Sequence, residues 1–210
     1  MKDRLIKNKK IIVIAFFSIM FLLILRDVFI YEVTSYDNWA YDVFVDNLRS
    51  NNMTLFMMII TAFGNAFTLI GIILLFFLLS KNKKNGIYLS INIILIFLTN
   101  LMVKLIVQRP RPFGYNLIIE NNYSFPSGHA MVSTAFYGFI MYLIYKNIKN
   151  KKLKWFLISS IFLLIILIMI SRIYLGVHYL SDTLAGFSLA IVYLMVFITY
   201  IDNNKLLERK

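Results

Sequence analysis

A chain of 210 residues with 60% hydrophobic and 15% charged side chains is too apolar for an ordinary soluble domain, which is nearer half apolar and a quarter charged. It has no cysteine, which excludes disulfides and thiolate metal sites and leaves the redox compartment open. A net charge of +12 would suit a nucleic-acid binder, but the placement of that charge points elsewhere.

Six stretches, residues 11–30, 54–80, 85–107, 127–146, 154–172 and 178–200, are mostly apolar over about the 20 residues that cross a ~30 Å hydrocarbon core. Backbone polar groups must be satisfied inside lipid, so these stretches predict helices, and the alternation of a membrane barrel is absent. The expected fold class is all-α: a polytopic membrane protein with six transmembrane helices in a bundle. No internal repeat or flexible linker divides it, so residues 1–210 are read as one domain. The first stretch follows the basic segment "MKDRLIKNKK", as in a signal peptide. Arg26 and Asp27 stand where a small-residue cleavage site would be, so it is read as a retained helix.

Residues 31–52, "YEVTSYDNWAYDVFVDNLRSNN", come next. Tyr36, Ala40, Val43, Phe44 and Leu48 form a helical apolar stripe, with Asp37, Asp42 and Asp46 mostly off it. That pattern predicts an amphipathic interfacial helix on the outer surface, bracing the bundle or walling a lipid path. The third stretch ends near Lys104, where "QRPRPFGYN" stops the helix and turns the chain. Residues 109–125 form a second outer loop. The fourth stretch starts at "PSGH", with Pro126 near the first helical position and Ser127 in the first turn. The fifth closes at Ser171 and Arg172, and a turn through Gly176 leads into the sixth.

Six spans place both termini and the loops around 81–84 and 146–154 on one side, and that side carries most of the 22 Lys and Arg residues. Such enrichment marks the cytoplasmic face, so the charge reports topology rather than a nucleic-acid partner. The other side keeps Arg26, Arg49, Lys104, Arg109, Arg111 and Arg172, and both histidines, His129 and His178. The expected location is the cell membrane, multi-pass, with cytoplasmic termini and a site facing outside.

Three outer junctions contribute these polar residues: "KLIVQRPRP", "PSGH" and "SRIYLGVHYLSD". Singly, each has an ordinary explanation: snorkelling cations, a helix cap, a local His–Asp bond on one helix face. Together they put several cations and both histidines at one depth, where ionisable groups are costly and functional. Such a cluster suits a multiply charged anion. Arginine forks match phosphate oxygens, lysine adds a point charge, and a helix start at Ser127 and Gly128 adds backbone donors. His178 and Asp182, four apart, predict an imidazole whose tautomer is fixed for attack on phosphorus, with His129 as general acid and then base. Two imidazoles and one carboxylate among cations suit neither zinc nor magnesium, so no metal and no cofactor is expected. The rival reading is a transporter, which would carry polar residues through the midplane. Asn65, Asn92 and Asn100 are the mid-span polar groups, but charge is absent deep in the first, second, fourth and fifth stretches.

These motifs, all within residues 104–182, resemble the signature of the type-2 phosphatidic acid phosphatases, relatives of the vanadium haloperoxidases. The family pattern K-x6-R-P, P-S-G-H and S-R-x5-H-x3-D is matched by Lys104 to Pro112, Pro126 to His129, and Ser171 to Asp182. Residues 37–50 and "ITAFGN" also look like bacterial members. The resemblance implies a catalytic His178, Asp182 and His129, and phosphate held by Lys104, Arg111, Ser127, Gly128 and Arg172. Arg109 lies outside the strict pattern and is given a supporting role. The implied activity is metal-independent hydrolysis of a lipid phosphate or diphosphate through a phosphohistidine, with membrane lipids as surroundings. Family members act on phosphatidic acid, phosphatidylglycerol phosphate and polyprenyl diphosphates. The compact chain resembles bacterial enzymes that recycle undecaprenyl diphosphate for the cell wall, the substrate ranked first.

Overall fold

The computed structural model describes residues 2–79 and 83–207, with side chains from residue 8 onward. The last residue of the second stretch, Lys81 in the basic loop, the side chains of Lys2, Asp3, Arg4 and Lys7, and Glu208, Arg209 and Lys210 lie outside the described residues.

The described residues form helices α1 (Lys2–Tyr31), α2 (Ser35–Tyr41), α3 (Asn51–Ala62), α4 (Ala66–Leu79), α5 (Lys84–Val107), α6 (Gly128–Asn147), α7 (Lys151–Tyr174) and α8 (Leu180–Asn203), with a short π-helix (Asp42–Asn47) continuing α2. Four are long and apolar enough to cross a membrane: α1 from Asn8, α5, α7 and α8; α3 and α4 add a fifth if counted as one span bent by 48°. The break lies at Phe63–Gly64–Asn65, where the apolar run is interrupted. The stretch expected at 127–146 is present as α6 but does not join that set. It carries Ser133, Thr134 and Tyr137, all buried, and it packs against α5, α7 and α8. A helix surrounded by protein needs less apolarity than one facing lipid. Its Phe136 and Phe139 share one core cluster with Ile165 and Ile168 of α7 and Leu194 and Phe197 of α8.

The helix ends follow their local chemistry. Ser50 accepts the Met53 N–H (3.3 Å) at the start of α3, and Asn150 accepts the Leu153 N–H (3.1 Å) at the start of α7, each satisfying an orphan donor. Ser127 is the N-cap of α6, just ahead of the helix rather than within its first turn as expected, and its hydroxyl accepts from Ala130 N. The α5 helix stops at Gln108, which is left-handed (φ 51), before the two prolines.

Segment 31–52 departs from its expected stripe. Thr34 and Asp37 close a capping box at the start of α2, and the buried set is Thr34, Asp37, Ala40, Tyr41 and Val45. Leu48, placed on the apolar stripe by the sequence, is 46% exposed. The π-helix over Asp42–Asn47 adds a residue per turn and shifts the register. Asp37 turns inward because its partners are inside.

Candidate active site

The α5–α6 loop, the start of α6 and the α7–α8 turn meet at one end of the bundle. Gly176 sets the third of these. Its φ is +72, and a Cβ there would lie 2.1 Å from the Tyr115 carbonyl, so the turn presses on the α5–α6 loop closely enough to require glycine. Leu117 N donates to Leu175 O (2.9 Å), and Arg49 donates to the Tyr115 and Tyr174 carbonyls. Ser127 N donates to Asp182 O (3.0 Å), which ties the second junction to the third.

His178 sits in this turn, ahead of α8, rather than on a helix face with Asp182. Asp182 is the third residue of α8 and accepts the Tyr179 N–H (2.9 Å). Chain reversal at Gly176 still brings the pair together, with His178 Nδ1 and Asp182 Oδ2 3.4 Å apart. The hydroxyl of Ser124 donates to the same oxygen and lies 3.3 Å from His178 Nδ1. Arg111 Nη1 is 3.1 Å from His178 Nε2, and a guanidinium can only donate there. His178 is therefore the Nδ1–H tautomer with its lone pair on Nε2. Burial lowers its pKa to about 3, against the opposing pull of Asp182, so at neutral pH the imidazole is neutral and its Nε2 lone pair, unprotonated, faces Arg111.

Both imidazoles line one cavity of about 300 Å³, together with Lys104, Arg111, Glu120 and Gly128. Leu69, Ile70, Ile93 and Phe97 of α4 and α5 are among its apolar lining. His129 Nε2 is 2.8 Å from Asn65 Oδ1. Gly64 beside it leaves room for that ring, since a Cβ there would lie 2.8 Å from His129 Cδ2. Lys104 donates to the carbonyls of Tyr123 and Ser124. Arg172 is 1% exposed, donates to Thr61 Oγ1 (2.8 Å) and pairs with Glu120. Its Nε has no partner among the described residues. Arg111 also donates to Asn122 O and Val177 O, and burial lowers its pKa while Glu120 opposes that shift.

The structure thus gathers His178, Asp182, His129, Lys104, Arg111, Gly128 and Arg172 at or directly behind one cavity. Ser127 is fully buried and caps α6, so its hydroxyl is engaged away from the cavity. Three residues, Asp37, Ser124 and Glu120, escaped the sequence reading, and Arg109 does more than the supporting role expected of it. Arg109 donates to Asp182 Oδ1 (2.7 Å), Asp37 Oδ2 (3.0 Å) and Ser181 Oγ (2.6 Å), and lies over the Tyr179 ring at 4.1 Å. Burial opposes its charge, but the two carboxylates outweigh that and its pKa is raised. Asp37 also accepts Ser181 N and Oγ, each at 2.8 Å. Ser124 and Glu120 complete the set. The available signals were the first arginine of "RPRP", a T-x-x-D capping pattern at Thr34, and the lone acid of the 109–125 loop.

Comparison with known proteins agrees with this geometry. The chain is 38% identical over 99 residues to phosphatidylglycerophosphatase B of Bacillus subtilis (strain 168), covering 45% of this chain and 47% of the relative. It is 27% identical over 139 residues to undecaprenyl-diphosphatase of Sulfolobus acidocaldarius, covering 63% of each. The chain thus spans between about half and just under two thirds of these relatives. Among solved structures it is similar to the transmembrane PAP2-type phosphatidylglycerolphosphate phosphatase of Bacillus subtilis, with TM-score 0.82 and 26% identity over 93% of this chain and 98% of that one. Aquifex aeolicus LpxE shares the fold, with TM-score 0.67 and 21% identity over 81% of this chain and 99% of that one. The model of the PAP2 superfamily matches residues 85–206, more than half of the chain and all three junctions, and the chain belongs to that superfamily.

Proposed function

We propose that the protein is a membrane-embedded phosphatase that hydrolyses a lipid phosphate or diphosphate through a phosphohistidine on His178. The observation that carries the reading is a single cavity lined both by His129, His178, Lys104 and Arg111 and by apolar α4 and α5 side chains. The charged groups suit a phosphate and the apolar ones an acyl or prenyl chain.

The chemistry follows from the groups present. Lys104, Arg111 and Arg172 hold the phosphoryl oxygens and stabilise the charge that builds on them. His178 Nε2 attacks phosphorus while Asp182, pinned by Arg109, Tyr179 N and Ser124, steadies the cation formed at Nδ1–H. The P–O bond to the lipid breaks and His129 gives its proton to the leaving oxygen. Water, deprotonated by His129, then cleaves the phosphohistidine. In this reading α6 completes six crossings, the basic termini are cytoplasmic, and the 35–47 segment caps the outer end of the bundle.

Phosphatidylglycerol phosphate and undecaprenyl diphosphate are the leading substrates. The sequence ranks the diphosphate first. The structural relative at 26% identity that overlaps 93% of this chain is a phosphatidylglycerolphosphate phosphatase, which favours the monophosphate. Phosphate release from these two lipids and phosphatidic acid, by purified protein with and without EDTA, decides the matter. Turnover of at least one lipid, undiminished by EDTA, is expected. No release from any of the three, or activity lost to EDTA and restored by magnesium, contradicts the reading.

A further inference from the structure

Glu120 occupies the place where an anion belongs. Its two carboxylate oxygens face the two arginines of the cradle: Oε1 pairs with Arg172 Nη2, and Oε2 is 3.6 Å from Arg111 Nη2. It lines the cavity that holds both histidines. The Arg172 guanidinium is 1% exposed, whereas the Glu120 side chain is 27% exposed. Glu120 stands on the α5–α6 loop, outside regular secondary structure, and among the described residues its side chain has no hydrogen-bond partner other than Arg172. Meanwhile Arg111 Nη1 covers the lone pair of His178 Nε2. The arginines are thus neutralised and the nucleophile covered by the protein's own groups.

We infer that Glu120 is a built-in competing anion, which binds the phosphate cradle in the resting enzyme and must leave before substrate phosphate can enter. The inference rests on reading the cavity as a phosphate site and adds the occupant of its resting state. Two buried cations without a counter-charge would be costly, because desolvation is offset only by a paired anion. Glu120 supplies the pair when no ligand is present. A phosphoryl group offers more charge and a third oxygen, takes both arginines, and draws Arg111 off His178 Nε2, so that occupation and unmasking of the nucleophile are one event. The partly exposed position gives the carboxylate a way out, and its return helps to expel product phosphate.

A displaced competitor has a distinct thermodynamic signature. Every anion that needs the cradle open is weakened by the same factor, the reciprocal of the open fraction. Through-space repulsion would instead grow with the charge of the anion. The test is equilibrium titration of the purified full-length protein, and of E120Q and E120A, with orthovanadate, inorganic phosphate and diphosphate. Both variants are expected to bind all three more tightly by a common factor on the order of ten, as for a resting site closed about nine-tenths of the time. Affinities within about twofold of the parent in whichever variant folds, or a gain that climbs from phosphate to diphosphate, overturn the inference. Failure of the unaltered protein to bind any of the three would instead overturn the phosphate-site reading itself. Thermal melting of each variant verifies that the titrated protein is folded.

Discussion

Replacing His178 by alanine is expected to abolish turnover of every lipid phosphate, by about 10⁴-fold or more, because a nucleophile and the step it opens are lost together. The fold should persist. His178 is 2% exposed, but its side chain contacts Ser124, Arg111 and Asp182, and all three keep other partners. Orthovanadate should still bind, since Lys104, Arg111 and Arg172 remain. Retained turnover in folded H178A protein would remove the covalent step from the mechanism. The measurement is phosphate release, set beside vanadate binding on the same preparation.

The second large effect belongs to Arg109. Its guanidinium is 1% exposed and lies between two carboxylates with no exposure, so R109M leaves Asp37 and Asp182 buried without a counter-charge. Removing one partner of a buried pair costs about 3–5 kcal/mol, and R109M should melt well below the parent. Activity should fall as well, by roughly 10–100-fold in kcat, because Asp182 loses the donor that holds its Oδ1 and leaves Oδ2 for the imidazole. A purely structural role would let stability and kcat recover together. The double change D37N with R109M separates the two. It removes one orphaned charge and should restore much of the melting temperature while kcat stays low. Recovery of both would reduce Arg109 to a brace.

The sequence reveals more of the chemistry here than of the architecture. Phosphate binding demands particular side chains at particular depths, so Lys104, Arg111, Arg172, His129, His178 and Asp182 stand out against a chain that is 60% hydrophobic. Their convergence is legible because cations at span ends away from the basic termini and loops have no topological purpose. The His178–Asp182 spacing gives the right contact through the wrong local structure: a turn at Gly176 and a helix start at Leu180, not one helix face. Asp37, Arg109 and Glu120 are harder to read because each acquires its meaning from a tertiary partner. An acid in an outer loop reads as solvated until its arginine is known. In the same way, α6 looks like a lipid-facing span in a pattern of apolar residues, whereas its buried Ser133, Thr134 and Tyr137 mark a helix enclosed by others. The π-helix at Asp42–Asn47 has no sequence signal beyond a broken stripe.

The proposed covalent step can be tested directly. With His129 replaced by alanine, an aryl phosphate whose leaving group needs no proton should still transfer its phosphoryl group to His178. Hydrolysis of that adduct should slow for want of the base. Rapid quenching in alkali and mass spectrometry of the peptide carrying residues 173–182 should then find one acid-labile phosphoryl group on His178. The same peptide unmodified, while aryl phosphate is being turned over, would contradict the account.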